Sequence, residues 1–226
     1  MISLNDVKRK KKAETDRGYY GELYRKYGNA HTLSLISHIK ILFVSDTNDE
    51  LRKKTQFTRD VIWNIQEPAD IIFLLGGISH NDMQILLPYF GARPIYGIKG
   101  DTDTEDIYSA YYIPELNENT VSVQDITFAG IAGALSYKTD IRGYTQEESI
   151  KRSKEIPQAD ILLSHAPAWD EQNNNAAKAG LKGISEYLYR CHISYHFYGH
   201  IMEDTEKTLS NGCLSRSIYG CRMVSV

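Results

Sequence analysis

ILFVSDTND (residues 41–49) and YHFYGHIMED (residues 195–204) have one layout in common: a continuous apolar run that passes straight into a short polar loop. ADIIFLLGGIS (69–79), YGIKGDTDTED (96–106) and ILLSHAPAWD (161–170) repeat it. Short apolar runs closed by turn residues read as strands buried on both faces. In open α/β sheets, sites are built beyond the carboxyl ends of such strands. The layout therefore predicts that Asp46, Asn48, Gly77, Asp101, Thr102, Asp103, His165, His200 and Met202 gather along one sheet edge.

Between these runs the pattern changes period. Leu51, Phe57, Val61, Ile62 and Ile65 share a face if Asp49–Gln66 is helical, and a second helix fits Met83–Phe90, before a short strand at Pro94–Ile98. Thr120–Val123 and Ile126–Ile131 read as a hairpin around Gln124 and Asp125. Helices are predicted at Thr145–Glu155 and Ala177–Tyr189, strands at Ile161–Ser164 and Tyr195–Tyr198, and the tail KTLSNGCLSRSIYGCRMVSV (207–226) alternates like strands. Strands apolar on both faces, separated by helices, predict a largely parallel sheet covered on both sides. The expectation is an α/β body of two sheets over residues 38–226, with residues 1–37 as an N-terminal helical arm.

That arm is basic. Residues 1–30 carry a net charge of +4, set by Lys8, Arg9, Lys10, Lys11, Lys12, Arg17, Arg25 and Lys26, while the whole 226-residue chain carries −3. Two readings stand: contact with nucleic acid or an acidic partner through Lys8–Lys12, or the solvated face of a helix from about Leu4 to Tyr27. In the second, Tyr20, Leu23, Tyr24 and Tyr27 pack on the body, and Gly28 ends the helix. A helix-turn-helix fits poorly, because a strand begins at Ile39 and leaves little room for a recognition helix. No apolar run approaches the roughly 20 residues a membrane span needs, and the first residues lack the apolar stretch of a secretory signal. The expectation is a cytoplasmic protein with no membrane contact. Cys191, Cys213 and Cys221 are too few and irregular for a disulfide framework or a zinc site and read as reduced core or near-surface thiols.

The five segments, with FAGIAGALSYK, GYTQEES and AGLKGISEYL, resemble the compact prokaryotic and viral branch of the calcineurin-like metallophosphoesterase superfamily. That resemblance runs from about Ile39 to Val226. It implies two face-to-face sheets flanked by helices and a two-metal site, whose ions stand about 3.5–4 Å apart and clamp a phosphoryl group. The family pattern is Asp-x-His, Gly-Asp, Gly-Asn-His-Asp/Glu, a lone His and Gly-His-x-His. Against it, Asp46 keeps the first aspartate but Asn48 replaces the histidine, and Gly77 replaces the metal-bridging aspartate. Asp101 stands for the asparagine ligand, Thr102 for the histidine that protonates the leaving group, and Asp103 is kept. His165 and His200 match, whereas Met202 replaces the last histidine.

Carried over residue by residue, the resemblance leaves the first metal position without a workable ligand set, since Asn48 and Met202 suit neither Mg²⁺ nor Mn²⁺. The second keeps Asp101, His165 and His200, with Asp46 or Asp103 assisting. Either no metal binds, or one divalent Mn, Fe or Zn does. The expected function is a degenerate phosphoesterase without ordinary two-metal hydrolysis, reused to bind a protein, a phosphorylated ligand or nucleic acid. The alternative is a single-metal phosphodiesterase or phosphatase on Asp101, His165 and His200. Restoring Asn48→His, Gly77→Asp, Thr102→His and Met202→His together should regain metal affinity if the loops keep their geometry.

Other residues carry weaker readings. His80 falls on the loop after the second strand and can point into the cleft. His192 and His196 are four apart on a strand predicted over Cys191–Tyr198, which places them on one face as structural histidines. Tyr108, Tyr111, Tyr112 and Tyr137 offer either a stacking surface or filling for a seam.

Overall fold

Two sheets pack face to face in the computed structural model, which describes residues 18–28, 39–136, 143–170, 173, 175 and 178–226. The basic run Lys8–Lys12, the start of the arm helix and Tyr137 lie outside the described residues. The smaller sheet is ordered β12-β1-β2-β3: Gly220–Ser225, Lys40–Ser45, Ile71–Leu74 and Ile95–Gly97. β1, β2 and β3 are parallel, and β12 runs antiparallel to β1, with Lys40 opposite Ser225.

The larger sheet is ordered β10-β11-β9-β8-β5-β4: Glu206–Thr208, Leu214–Ser217, Tyr195–Tyr198, Ile161–Ser164, Ile126–Ile131 and Thr120–Val123. Its central strands are parallel, and both edge strands run antiparallel to their neighbours. A two-stranded ribbon pairs β6 (Ala134–Leu135) with β7 (Gly143–Tyr144).

The two-residue period of a strand sorts each apolar run into two cores. Ile41 and Phe43 of β1 face the other sheet, where Phe43 lies 4.6 Å from Phe197 of β9, while Phe73 lies 4.8 Å from Phe128 of β5. Leu42 and Val44 face outward onto helices α2 (Gln56–Asn64) and α3 (His80–Phe90). On the far side, Ala129, Ile131 and Leu162 are covered by α1 (Tyr19–Tyr27), α4 (Gln146–Ser153) and α5 (Lys182–Arg190), through Leu23, Ile184 and Leu188 among others. The layers are helix, sheet, sheet, helix. Each fully buried aromatic or aliphatic side chain contributes about 1.5–3 kcal/mol of transfer free energy, so the shared Phe43, Phe73, Phe128 and Phe197 layer is the main tie between the sheets.

Local signals account for several boundaries. Gln124 and Asp125 both have positive φ (49° and 67°), the backbone that a two-residue hairpin needs to match strand twist. Thr145 and Glu148 form a reciprocal capping box at the start of α4. α1 docks on α5: the Tyr19 hydroxyl donates to Lys182 O (2.9 Å), and the Tyr27 hydroxyl donates to Glu186 Oε1 (3.2 Å). Tyr20 and Leu23 also turn inward, whereas Tyr24 is exposed.

Several expectations on local structure fail, among them the helix expected over Ala177–Tyr189, which starts only at Lys182. The helix expected over Asp49–Gln66 starts at Gln56, with Thr55 capping Thr58 N–H. Upstream, the backbone amides of Asp49 and Leu51 and the Thr47 hydroxyl donate instead to the carboxylate of Asp82, which is wholly buried on α3. A buried carboxylate with three donors wins these amides from the helix, and Asn48 and Asp49 take positive φ. The strand at Tyr195–Tyr198 is as expected, but it does not extend back to Cys191, because the amides of Cys191, His192 and Ile193 close the end of α5. His192, at φ 54°, therefore sits in a turn and shares no strand face with His196. No helix among the described residues is long and apolar enough to cross a membrane.

Candidate metal centre

Every strand-end loop singled out from the sequence meets at one edge. Asp46 follows β1, Gly76 and Gly77 follow β2, Gly100 to Asp103 follow β3, His165 follows β8, and His200 follows β9. The loops cross so closely that a Cβ on Gly76 would stand 2.4 Å from the Gly100 nitrogen. Asp103 ties the crossing together, accepting the N–H groups of Gly100 (2.7 Å), Ile78 (3.0 Å) and Gly77 (3.2 Å). Burial pushes its carboxyl up, against the pull of those hydrogen bonds.

Asp101, His165 and His200 bring one ligand atom each into a tight group. His165 Nε2 lies 3.1 Å from Asp101 Oδ1 and 3.2 Å from His200 Nδ1, and His200 Nδ1 lies 3.6 Å from Asp101 Oδ1. Donor atoms on one face of a tetrahedron with bonds of about 2.0–2.1 Å are about 3.3 Å apart, so the three fit a single ion of that size. His165 Nδ1 donates to the Leu75 carbonyl (2.7 Å), which turns Nε2 toward the group, the outer contact that a ligating histidine needs.

The group is short of positive charge. Burial raises the Asp101 carboxyl, but its hydrogen bonds and charge contacts with His165 and His200 hold it well below the usual carboxylate range. Burial is likewise the largest single influence on His165 and lowers it. The hydrogen bond to Asp101 and the charges of Asp46, Asp101 and Asp103 together outweigh it and push the imidazole up to about 9. A proton or a cation is needed where these atoms converge.

Beside the group, position 77 has no room for a side chain. Gly77 has φ 67°, and a Cβ there would lie 2.7 Å from Asp46 Oδ1 and 2.9 Å from Asp46 Cα. Asp46 itself is buried, and its Oδ2 accepts the Ser45 hydroxyl (2.6 Å) and the backbone N–H of His200 (2.7 Å). His200 has φ 71°, so Asp46 holds a strained backbone in the position that presents the imidazole. Asp46 lies outside the three-residue group.

The family profile for calcineurin-like phosphoesterase matches residues 39–204, a span that holds all five loops. The chain belongs to that family. Similar solved structures include TT1561 of Thermus thermophilus, at 12% identity and a TM-score of 0.58, covering 84% of this chain and 99% of that one. The phosphopantetheinyl hydrolase of Mycobacterium tuberculosis is similar at 10% identity and a TM-score of 0.57, with 82% and 95% covered. At such identities these structures support the fold alone. No curated protein matches.

The phosphoesterase cleft has a volume of about 440 Å³ and is lined by Asp46, Asn48, Asp101, Thr102, His200 and Met202, among others. Met202 is half-exposed at φ 51°. Asn48, Gly77 and Thr102 also line an adjoining hollow of about 260 Å³, which His80 reaches. His80 opens α3 rather than sitting on a loop, and its ring nitrogens engage the Tyr111 hydroxyl and Asp106, each at 3.1 Å. The tyrosines divide: Tyr108 is buried and donates to Ile98 O, while Tyr112 is almost wholly exposed. His196 is buried between the hydroxyls of Ser164 (2.8 Å) and Ser215 (2.9 Å), and burial, with a smaller effect of Lys207, pushes it down to about 3.

Residues not anticipated from the sequence are Asp82, Lys178 and Glu203. The last two line the main cleft. Lys178 stands in an Asn- and Ala-rich stretch and Glu203 just past the Gly-His motif, so proximity to His165 and His200 in the chain was the available signal.

Proposed function

We propose that this phosphoesterase-family protein holds one divalent transition metal, Mn, Fe or Zn, on Asp101, His165 and His200, and binds a phosphorylated ligand there in a binding or regulatory role. Ordinary two-metal hydrolysis is absent in this reading. The observation that carries it is the pairing of three donor atoms spaced for one ion with a neighbouring Gly77 that has no room for a bridging carboxylate. When bound, such an ion supplies a Lewis-acidic anchor for a phosphoryl oxygen.

The chain does the rest. Leu75 O fixes the tautomer of His165, Asp46 fixes the backbone of His200, and the Asp103 carboxylate holds the Gly77 and Gly100 loops together. Thr102 stands at the leaving-group position, where a hydroxyl of very high pKa donates no proton near neutrality. This supports binding over turnover.

A second reading, slow single-metal phosphodiester hydrolysis, draws on Asp46. It lines the cleft, and among the described residues only its Oδ2 is hydrogen-bonded, which leaves Oδ1 to accept a proton from water. Calorimetric titration of Mn²⁺ and Zn²⁺ into the metal-stripped protein tests the main proposal. Binding at one site that His165→Ala and His200→Ala both remove is expected; no binding, or binding unchanged in both variants, refutes it. Metal-dependent turnover of bis(p-nitrophenyl) phosphate that Asp46→Asn abolishes would favour the second reading.

A further inference from the structure

Among the described residues, Lys178 is the one lysine or arginine that lines the cleft holding Asp101 and His200. Its Nζ lies 3.2 Å from Glu203 Oε1, and both side chains are largely exposed. Lys178 comes from the segment after β8 and Glu203 from the loop after β9, the same two strands that deliver His165 and His200. The other charged side chains on the wall are the carboxylates of Asp46 and Asp101.

The charge count makes Lys178 important. One divalent ion balances Asp46 and Asp101 and leaves nothing over to attract a phosphoryl dianion, a surplus that a second ion would provide. Lys178 is the remaining cation, and it is paired with Glu203. An exposed pair of this kind is weak and screened by salt, so a dianion entering the cleft can displace the carboxylate, and charge-assisted contact with a phosphoryl oxygen is the stronger bond.

We propose that Lys178 is the anion-binding residue of this cleft and that Glu203 competes with the phosphoryl ligand for it, setting affinity from within the chain. This rests on the phosphorylated-ligand reading above. Phenylphosphonate, a non-hydrolysable phosphoryl dianion, is the probe. Its affinity is measured at pH 8 on the full chain, with and without saturating Mn²⁺, for the unmodified protein, Lys178→Ala, Glu203→Gln and the double variant.

Lys178→Ala is expected to weaken binding about two- to fivefold and Glu203→Gln to strengthen it about two- to fivefold, the range of a contact between exposed charges. The double variant should match Lys178→Ala alone, because Glu203 acts only through Lys178. Unchanged affinity in Lys178→Ala, no phenylphosphonate binding at all, or a Glu203→Gln gain that persists without Lys178 would each overturn the inference. Mn²⁺ affinity, titrated in parallel, should be the same in all four proteins. Lys178-dependent phosphonate binding in a protein that takes up no Mn²⁺ would sustain this inference while refuting the metal centre.

Discussion

The two sides of the cleft are built in opposite ways. On the side of β8 and β9, His165 and His200 keep their places and an aspartate at position 101 draws them into a group spaced for one ion. On the side of β1 and β2, Gly77 is packed against Asp46, whose carboxylate fills the space a side chain at 77 would need. Only the first side can be described by naming ligands. The second shows that backbone conformation and packing can exclude a side chain at position 77, and that the group packed against it also positions His200.

The largest effect should come from the intact side. His165→Ala removes a ligand as well as the contact with Leu75 O, and metal affinity should fall more than about 100-fold, beyond what loss of an outer contact costs; near-normal calorimetric binding would erase the distinction between the sides. On the closed side, Gly77→Asp should destabilise the fold by about 2–5 kcal/mol in urea unfolding, combining a left-handed backbone with overpacking. The fourfold change Asn48→His, Gly77→Asp, Thr102→His and Met202→His should accordingly gain no second ion. A folded fourfold variant that binds two ions would show that Asp46 yields.

pH sharpens the same contrast through two buried histidines, His165 just past β8 and His196 within β9. His196, without a carboxylate partner, has its folded-state pKa pushed down to about 3. Its contribution is present above the unfolded value of about 6.5 and is lost as pH falls from there toward 3, with a slope of up to about 1.4 kcal/mol per pH unit. His196→Gln should flatten that part of the stability profile; an unchanged slope would mean other groups cause it. The smallest effect is expected for Asp46→Asn, which keeps an oxygen for the His200 N–H: metal affinity should drop by about tenfold, the low end for an outer contact. A drop as large as that of His165→Ala would make Asp46 a ligand.

Much of this was legible from the chain. The apolar runs around Phe43, Phe73, Leu163 and Phe197 predicted strands in order, and the residues just past them predicted one site edge, because period and punctuation are local properties. What could not be read depends on partners distant in sequence. Asp82 looks like any acid in the first turn of a helix, yet it claims the amides of Asp49 and Leu51 and shortens α2. Gly77 reads as a missing ligand, and only the packing of two loops shows it to be a required glycine. His192 and His196 share a strand spacing in the sequence, but the amides that close α5 separate them.

The pairing of Lys40 with Ser225 has a kinetic consequence. β1, which delivers Asp46, is flanked on one side by β2, close behind it in the chain, and on the other by β12, at the far end of the sequence. Contacts between such distant segments cost loop-closure entropy before they return any stability. A ribosome-bound chain can therefore lay down β1, β2 and β3 early, but the smaller sheet, and the cleft edge it supports, is completed only once Gly220–Ser225 has also emerged.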